Sequence, residues 1–200
     1  MPARSPNYMN DKREHIVSAT ISCLEKLGLS QTSMTDVCSE AKISRGALYV
    51  HFTSKDELLE AVIKRLGDES FSHISFESVN LFTNSIETHL RFMMEPSRRA
   101  MVHVEADLLS ASRMSDRLSV ELSEAISQRL DRLKTGLKKL GNTGCFNDGV
   151  DAVVAAHAID AFLIGSVQGS MNAAPTRLRL KALRLIFTTI FRNPSLHNAK

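Results

Sequence analysis

The sequence predicts an all-α fold of about nine helices. Apolar residues recur every three or four positions through most of the 200-residue chain, which is the spacing that places them on one face of a helix. No stretch combines two-residue alternation with the β-branched enrichment of strands. Glycine and proline fall almost entirely at the breaks between periodic segments, so they separate helices.

Composition sets broad limits on the kind of protein. With 43% hydrophobic residues the chain can bury a substantial core, and its net charge of +3 is compatible with nucleic acid but equally with many enzymes. No apolar run approaches the roughly 18 residues of a membrane span and the start lacks an apolar signal core, so we expect a cytoplasmic protein without a membrane partner. Three scattered cysteines indicate neither disulfides nor a zinc site, and we predict no metal and no cofactor.

Two helices are predicted first. Segment 10–27 is amphipathic and ends at Gly28, a usual helix stop. Its apolar face consists of Ile16, Thr20, Cys23, Leu24 and Leu27. A short second helix follows Ser33, a favourable N-cap with Asp36 at the spacing of a capping box. Its apolar face consists of Met34, Val37, Cys38 and Ala41.

A third helix of about two turns begins after Ser44 and ends near Phe52. Ser54 and Glu57 have the form of a capping box, which starts a fourth helix reaching about Leu66. Beyond Gly67 the helical periodicity stops and a serine-rich linker is predicted. We therefore place a boundary there and predict two domains, 1–66 and 67–200. Further helices are predicted over about 81–93, 96–111, 115–140, 147–171 and 176–191.

Residues 33–52 meet the requirements of a helix-turn-helix. That motif needs two short helices joined by a tight turn, so that the second can lie in the major groove of DNA. Val37, Ile43 and Leu48 would form the small core between the helices, and Ala41 allows close approach at the turn. The exposed residues of the second helix, free to face DNA, are Arg45, Gly46, Ala47, Tyr49 and His51.

The same segment resembles the DNA-binding signature of TetR-family regulators. The resemblance lies in SMTDV at 33–37, ISRGALYVHF at 43–52 and SKDELL at 54–59. It covers about residues 10–66, while the rest of the chain matches the family only in length and helical character. The resemblance implies that a helical N-terminal domain binds DNA and that the helical C-terminal domain binds a ligand and dimerises.

The resemblance also implies roles for individual residues. Arg45 would pair with guanine or phosphate, Gly46 and Ala47 would allow close approach to base edges, and Tyr49 and His51 would bind phosphate. Lys55 would meet a phosphate near the start of the fourth helix. The predicted DNA-binding residues are Thr35, Lys42, Ser44, Arg45, Gly46, Ala47, Tyr49, His51 and Lys55.

Two features of the motif concern charge and backbone strain. Residues 1–60 hold seven Lys/Arg and eight Asp/Glu, yet residues 41–55 hold three basic residues and no acid. The alternative interpretation of residues 41–55 is a solvated basic surface on a helical bundle that does not bind DNA. The family usually has glycine where this chain has Lys42, and a non-glycine residue in the left-handed conformation costs roughly 1 kcal/mol.

The resemblance favours a ligand-responsive repressor that binds a palindromic operator as a dimer and is released by a small-molecule effector. An activator with the same parts and an architectural DNA-binding protein remain alternatives. A helical enzyme is disfavoured because the chain has no phosphate loop, nucleophile elbow, HExxH or CxxC motif. The expected partners are operator DNA, a small molecule and a second copy of the chain.

The last two helices are predicted to form the dimer interface. Small residues at three-and-four spacing allow close helix packing, and the last helix is apolar on two flanks, which calls for a second partner. The predicted interface residues are Ala158, Ala161, Gly165, Gly169, Leu183, Ile186, Phe187 and Ile190. A larger monomeric core is the alternative.

The effector pocket is predicted mainly between about residues 81 and 109, where apolar residues mix with a few polar ones. The candidates are Phe82, His89, Phe92, Met93, Met101, His103, Glu105 and Phe162. Phenylalanine and methionine at helical spacing also suit a plain core. Glu95 with Arg98 or Arg99 is interpreted as a surface charge cluster.

Overall fold

A computed structural model describes residues 6–168 and 175–192, and within these residues every regular element is helical. The all-α prediction is confirmed. A single 3-10 turn, Pro96–Arg98, precedes the sixth helix. No described helix has both the length and the apolar character needed to cross a membrane. The helices are α1 Pro6–Leu27, α2 Met34–Ala41, α3 Arg45–His51, α4 Lys55–Ser70, α5 Val79–Met93, α6 Arg99–Ser112, α7 Asp116–Gly141, α8 Ala152–Gln168 and α9 Thr176–Ile190.

The chain divides into two compact units. The first runs to Leu66 and also includes His103–Ala125, while the second comprises Gly67–Val102 and the chain from Ile126 onward. Helices α6 and α7 therefore each contribute residues to both units. The predicted boundary placed residues 103–125 in the second domain, 67–200. In the structure, the contacts of residues 103–125 group them with the first unit.

The first unit is built around the inner faces of α1 to α4. Leu48 and Phe52, from α3 and its end, are fully buried among side chains of the other three helices. Four of the five residues predicted for the inner face of α1 are buried, whereas Leu27 is exposed. Buried side chains of the other three helices include Ile16, Val17, Leu24, Val37, Cys38, Leu58, Leu59 and Val62. Their burial fixes α3 by its inner face alone.

Local capping defines where the short helices begin. The Ser33 Oγ accepts from the Asp36 amide at 3.3 Å, and the Asp36 carboxylate accepts from the Ser33 amide at 2.8 Å, so the predicted capping box is confirmed. The Ser44 Oγ accepts from the Ala47 amide at 3.1 Å and caps α3 as predicted. These bonds satisfy amides that a helix start would otherwise leave unpaired.

Only one of the two hydrogen bonds of the predicted Ser54–Glu57 capping box is formed. The Ser54 Oγ accepts from the Glu57 amide at 3.1 Å, as expected. The Glu57 carboxylate does not return to Ser54 and instead accepts from both the amide and the hydroxyl of Thr53, each at 2.7 Å. These hydrogen bonds lower the pKa of Glu57 and tie the α3–α4 connection to the start of α4.

Two predicted boundaries were wrong. The fourth helix continues through Gly67 to Ser70, because helical interactions on both sides of a single interior glycine outweigh its modest cost. The eighth helix begins at Ala152 and not at residue 147, since the Asn147 side chain donates to the carbonyls of Thr188 and Thr189 at the end of α9. The predicted end of this helix at residue 171 lies outside the described residues.

Lys42 occupies the turn of the helix-turn-helix in the left-handed conformation, with φ 53° and ψ 46°. It is the C-cap of α2, and its exposed side chain contributes no buried contact. The resemblance therefore anticipated the backbone correctly. A Cβ in this conformation is strained, and glycine would relieve the strain.

We expect Lys42→Gly to raise the free energy of unfolding by about 0.5–1 kcal/mol. Lys42→Ala is the matched control, because it removes the same charge and keeps the Cβ. Urea unfolding of the three proteins measures the difference. A glycine variant less stable than the alanine variant would show that backbone strain is absent at this turn.

The second unit has an aromatic core formed by α5, α7, α8 and α9. Phe82 is fully buried and meets Phe187 and Phe191 edge to face, with ring centres 6.2 and 5.9 Å apart. Gly136 of α7 makes room for Phe76, since a Cβ there would lie 2.2 Å from the Phe76 ring. Close packing against this ring explains a glycine inside a long helix.

Candidate nucleic-acid interface

The outward face of α3 is open to solvent along its whole length. Leu48 points inward and is fully buried, whereas Tyr49 is 44% exposed and Val50 is 69% exposed. The remaining exposed residues of this face are Arg45, Gly46 and Ala47, and His51 is half-buried. A short helix held only from behind therefore presents one basic, one aromatic and several small side chains outward.

Arg13 of α1 positions the end of α3. Its Nη1 donates to the carbonyl of His51 at 2.7 Å, which satisfies an acceptor that the helix end leaves unpaired. The guanidinium also lies 4.0 Å above the centre of the Phe52 ring and 3.8 Å from the Glu57 carboxylate. One side chain therefore joins α1, the end of α3 and the start of α4.

Lys55 has partners within the protein. Its Nζ donates to the carbonyls of Leu29 and Thr32 at 2.8 and 2.6 Å, which anchors the α1–α2 loop to the start of α4. An ammonium has three donors, so one remains for another acceptor. Its predicted phosphate contact stays a prediction beside this structural role.

The other predicted DNA contacts lie on the same unit. Thr35 of α2, Lys42 of the turn and Ser44 before α3 are exposed. The Ser44 hydroxyl accepts from the Ala47 amide as the cap of α3, and its O–H can still donate to a phosphate oxygen. The window 41–55 carries three basic residues and no acid, which gives this surface local positive charge in a domain that is not basic overall.

The predicted effector residues do not form one group. Phe82 is fully buried in the aromatic core, and Phe162 packs against that core half-buried. Phe92 is exposed at the end of α5, next to the half-buried Met93, and Met101 is half-buried. His103 and Glu105 are exposed and belong to the first unit.

His89 is the predicted effector residue with the most unusual environment. It is 7% exposed, its Nδ1 lies 3.1 Å from Nε2 of His73, and its ring packs against Phe71. Burial, followed by the charges of His73, Arg129 and Arg98, lowers the pKa of His89 to about 4. The imidazole is therefore neutral in the native protein at pH 7.

This shift predicts acid sensitivity. As pH falls from 6.5 towards 4, the unfolded chain protonates His89 while the native state does not, so stability is lost by up to about 3 kcal/mol. We expect urea unfolding of the wild type to show a steeper loss over this range than His89→Gln. The matched control His103→Gln, at an exposed histidine, should follow the wild type; parallel pH profiles for wild type and His89→Gln would contradict the assignment.

The predicted dimer residues require a correction on α9. Leu183 and Phe187 are fully buried and Ile190 is 4% exposed, so all three are core residues of a single chain. Ile186 is half-buried, whereas the opposite flank exposes Leu178 and Leu185 at 55% and 68%. The sequence showed both apolar flanks, and packing against α5 and α8 decides which one is internal.

On α8 the predicted small residues do face outward. Ala158, Ala161 and Gly165 are exposed, and Val154 extends the same row at 59% exposure. Gly169 lies outside the described residues. The spacing of four, three and four residues places this row on one face of α8.

Sequence reasoning missed three features of these surfaces. Val50 was not selected, although its place between inward Leu48 and Phe52 leaves an apolar side chain facing out. Arg13 was not selected because its partner, His51, is 38 residues away. Arg98 was interpreted as a surface charge, but its Nε is buried.

Helix α3 is capped, its inner face is buried and its outer face is exposed, and α2 and a tight turn precede it. This arrangement defines a helix-turn-helix DNA-binding domain. Residues 16–62 match the family model described as bacterial regulatory proteins, tetR family. The helix-turn-helix region of this chain is therefore similar to the DNA-binding domain of TetR-family regulators.

The comparisons extend over the rest of the chain with lower identity. Nucleoid occlusion factor SlmA of Vibrio cholerae is 25% identical over 174 residues, which cover 83% of this chain and 85% of that protein. The nicotine-responsive transcriptional repressor HdnoR of Paenarthrobacter nicotinovorans is 29% identical over 110 residues, which cover 55% of this chain and 50% of that protein. The crystal structure of a TetR-family regulator from Rhodococcus sp. has a TM-score of 0.76 at 18% identity and covers 92% of this chain and all of that chain.

Proposed function

We propose that the protein is a repressor that binds a palindromic operator as a homodimer and releases it when a small-molecule effector binds the second unit. The single observation that carries the DNA-binding part is the open outward face of α3, which is capped by Ser44 and anchored by Arg13. The similarity to a nicotine-responsive repressor supports the ligand-responsive part.

The proposed contacts divide by chemistry. Arg45 can pair with guanine, and the small Gly46 and Ala47 let the helix approach base edges. Tyr49, His51, Thr35, Lys42 and Lys55 would bind phosphates, which sets affinity and register without reading sequence. Val50 has no hydrogen-bonding group, so its direct readout would be contact with the methyl group of thymine.

The exposed rows on α8 and α9 support the homodimer. Val154, Ala158, Ala161 and Gly165 form one row, and Leu178 and Leu185 lie on the exposed flank of α9. Small residues permit close helix approach, and the leucines supply apolar area that a second copy would bury. A two-fold assembly would present two copies of α3 to the two halves of a palindrome.

The route from effector to DNA would run through α6 and α7. In the first unit, the Leu29 amide donates to the Asp107 carboxylate of α6 at 3.3 Å. Residues at the start of α7 bind α4, with Ser115 donating to Asp56 at 3.1 Å and Arg117 pairing with Glu60 at 2.6 Å. Since α6 and α7 also contribute to the second unit, an effector that favours one arrangement of these helices would shift the population of DNA-competent dimers.

Selection of binding sites from random duplex DNA tests the proposal. The full-length protein should enrich a palindrome with half-sites about one helical turn apart, and native mass spectrometry should find at least two chains per duplex. Compounds that raise the melting temperature are then added to the operator complex. If no bound compound changes the operator affinity, release by an effector is refuted. If the selection enriches no sequence, an architectural role is favoured.

Nucleoid occlusion is a second candidate, favoured by one observation. The match to the Vibrio cholerae factor extends over 83% of this chain and so includes much of the second unit. A mapping of bound sites across the chromosome separates the two candidates. A few sites beside promoters support the repressor, and many dispersed sites support nucleoid occlusion.

A further inference from the structure

Two arginine side chains contact residues at the end of α5 in the second unit. The Arg98 guanidinium lies 3.9 Å above the centre of the Phe92 ring. Arg179 of α9 is 7% exposed, donates to the Ser166 carbonyl and places its Nη1 3.2 Å from Sδ of Met94. Both guanidinium groups are permanently charged, so each places a cation beside a residue at the end of α5.

Arg98 has a donor that no described residue satisfies. Its Nε is buried and has no hydrogen-bond partner. Within residues 6–168 and 175–192, no carboxylate forms an ion pair with its guanidinium. Buried donors without partners are rare and destabilising, so an unsatisfied one on a charged group indicates a place for an acceptor from outside the chain.

The buried acids of the described second unit are engaged elsewhere. Asp160 pairs with Arg129 at 2.8 Å, and Glu87 pairs with Arg184 at 2.7 Å. Burial, followed by the charges of His73, Arg129 and Arg98, holds the pKa of His89 low. The two buried acids Asp160 and Glu87 are therefore paired with other arginines and do not form an ion pair with Arg98.

We propose that the effector is an anion, a carboxylate on an apolar body, and that Arg98 binds its negative group. This inference rests on the proposed function, because it assigns a chemical class to the effector of the same unit. The guanidinium fork matches a carboxylate in shape and charge, and the exposed Phe92 ring offers an adjacent apolar surface. A cation at this place would be repelled by Arg98.

Three probes of one shape and different charge test this class on the full-length protein: 2-naphthoate, 2-naphthol and 2-naphthylmethylammonium. Calorimetric titration compares the wild type with Arg98→Gln and with the control Arg91→Gln, which removes an exposed arginine of α5. We expect naphthoate to bind at least about tenfold more tightly than the other two. Arg98→Gln should abolish that preference, and Arg91→Gln should retain it.

Several results would overturn the assignment. They are equal binding of the three probes, a preference for the cation, naphthoate binding that survives Arg98→Gln, and absence of naphthoate binding up to its solubility limit. Failure of the proposed function has a different signature. If naphthoate binds through Arg98 but no bound anion changes operator affinity, the anion site stands and effector release is wrong; if a neutral or cationic compound releases the operator, release stands and the anion assignment is wrong.

Discussion

Val50→Asp is expected to lower operator affinity about 100-fold while the protein stays folded. The side chain is 69% exposed on the outward face of α3, so the substitution removes no internal contact. At the proposed interface it replaces an apolar contact with a negative charge facing the phosphate backbone. Fluorescence anisotropy with the selected operator measures the loss, and urea unfolding should give a stability within about 0.5 kcal/mol of the wild type.

Val120→Asp is the matched control for this prediction. Val120 of α7 is also exposed, at 59%, and lies outside the helix-turn-helix. The control should keep wild-type operator affinity. Equal affinity of Val50→Asp and wild type would remove α3 from the interface, and an equal loss in both variants would mean that added negative charge acts without regard to position.

Leu185→Glu is expected to produce a monomer and, as a consequence, to lower operator affinity by about 100-fold or more. Leu185 is 68% exposed on the flank of α9 that faces away from its own core. A two-fold interface would bury the new carboxylate twice, which is unfavourable without a cation beside each copy. Loss of the dimer removes the simultaneous binding of two half-sites.

Sedimentation equilibrium measures the oligomeric state, and anisotropy measures the affinity of the same preparations. Met114→Glu is the control, since Met114 is 89% exposed and belongs to the first unit. It should remain dimeric and bind normally. A Leu185→Glu dimer with unchanged operator affinity would place the interface on another surface.

The elements that sequence predicted well are those set by local interactions. The Ser33–Asp36 box and the Ser44 cap involve residues three apart, so the signal and the structure share the same short segment. The helix-turn-helix was anticipated for the same reason, including the left-handed Lys42. Helix type and order follow from periodicity, which is also local.

The features that sequence did not predict depend on distant partners. Periodicity identified two apolar flanks on α9, but only packing against the rest of the second unit buries Phe187 and leaves Leu185 exposed. Three residues predicted for the dimer interface, Leu183, Phe187 and Ile190, are therefore core residues of the chain. Likewise Arg13 was not selected and Arg98 was interpreted as a surface charge, because the contact of Arg13 with His51 and the burial of the Arg98 Nε arise only in the folded chain.

The central claim is that α3 lies in the major groove of each operator half-site. Photocrosslinking tests it most directly, with p-benzoylphenylalanine placed at position 50 of the full-length protein and, as a control, at position 120. We predict crosslinks from position 50 to bases in both half-sites, at positions related by the two-fold axis of the operator, and none from position 120. Operator complexes that form normally yet yield no base crosslink from position 50 would contradict the account.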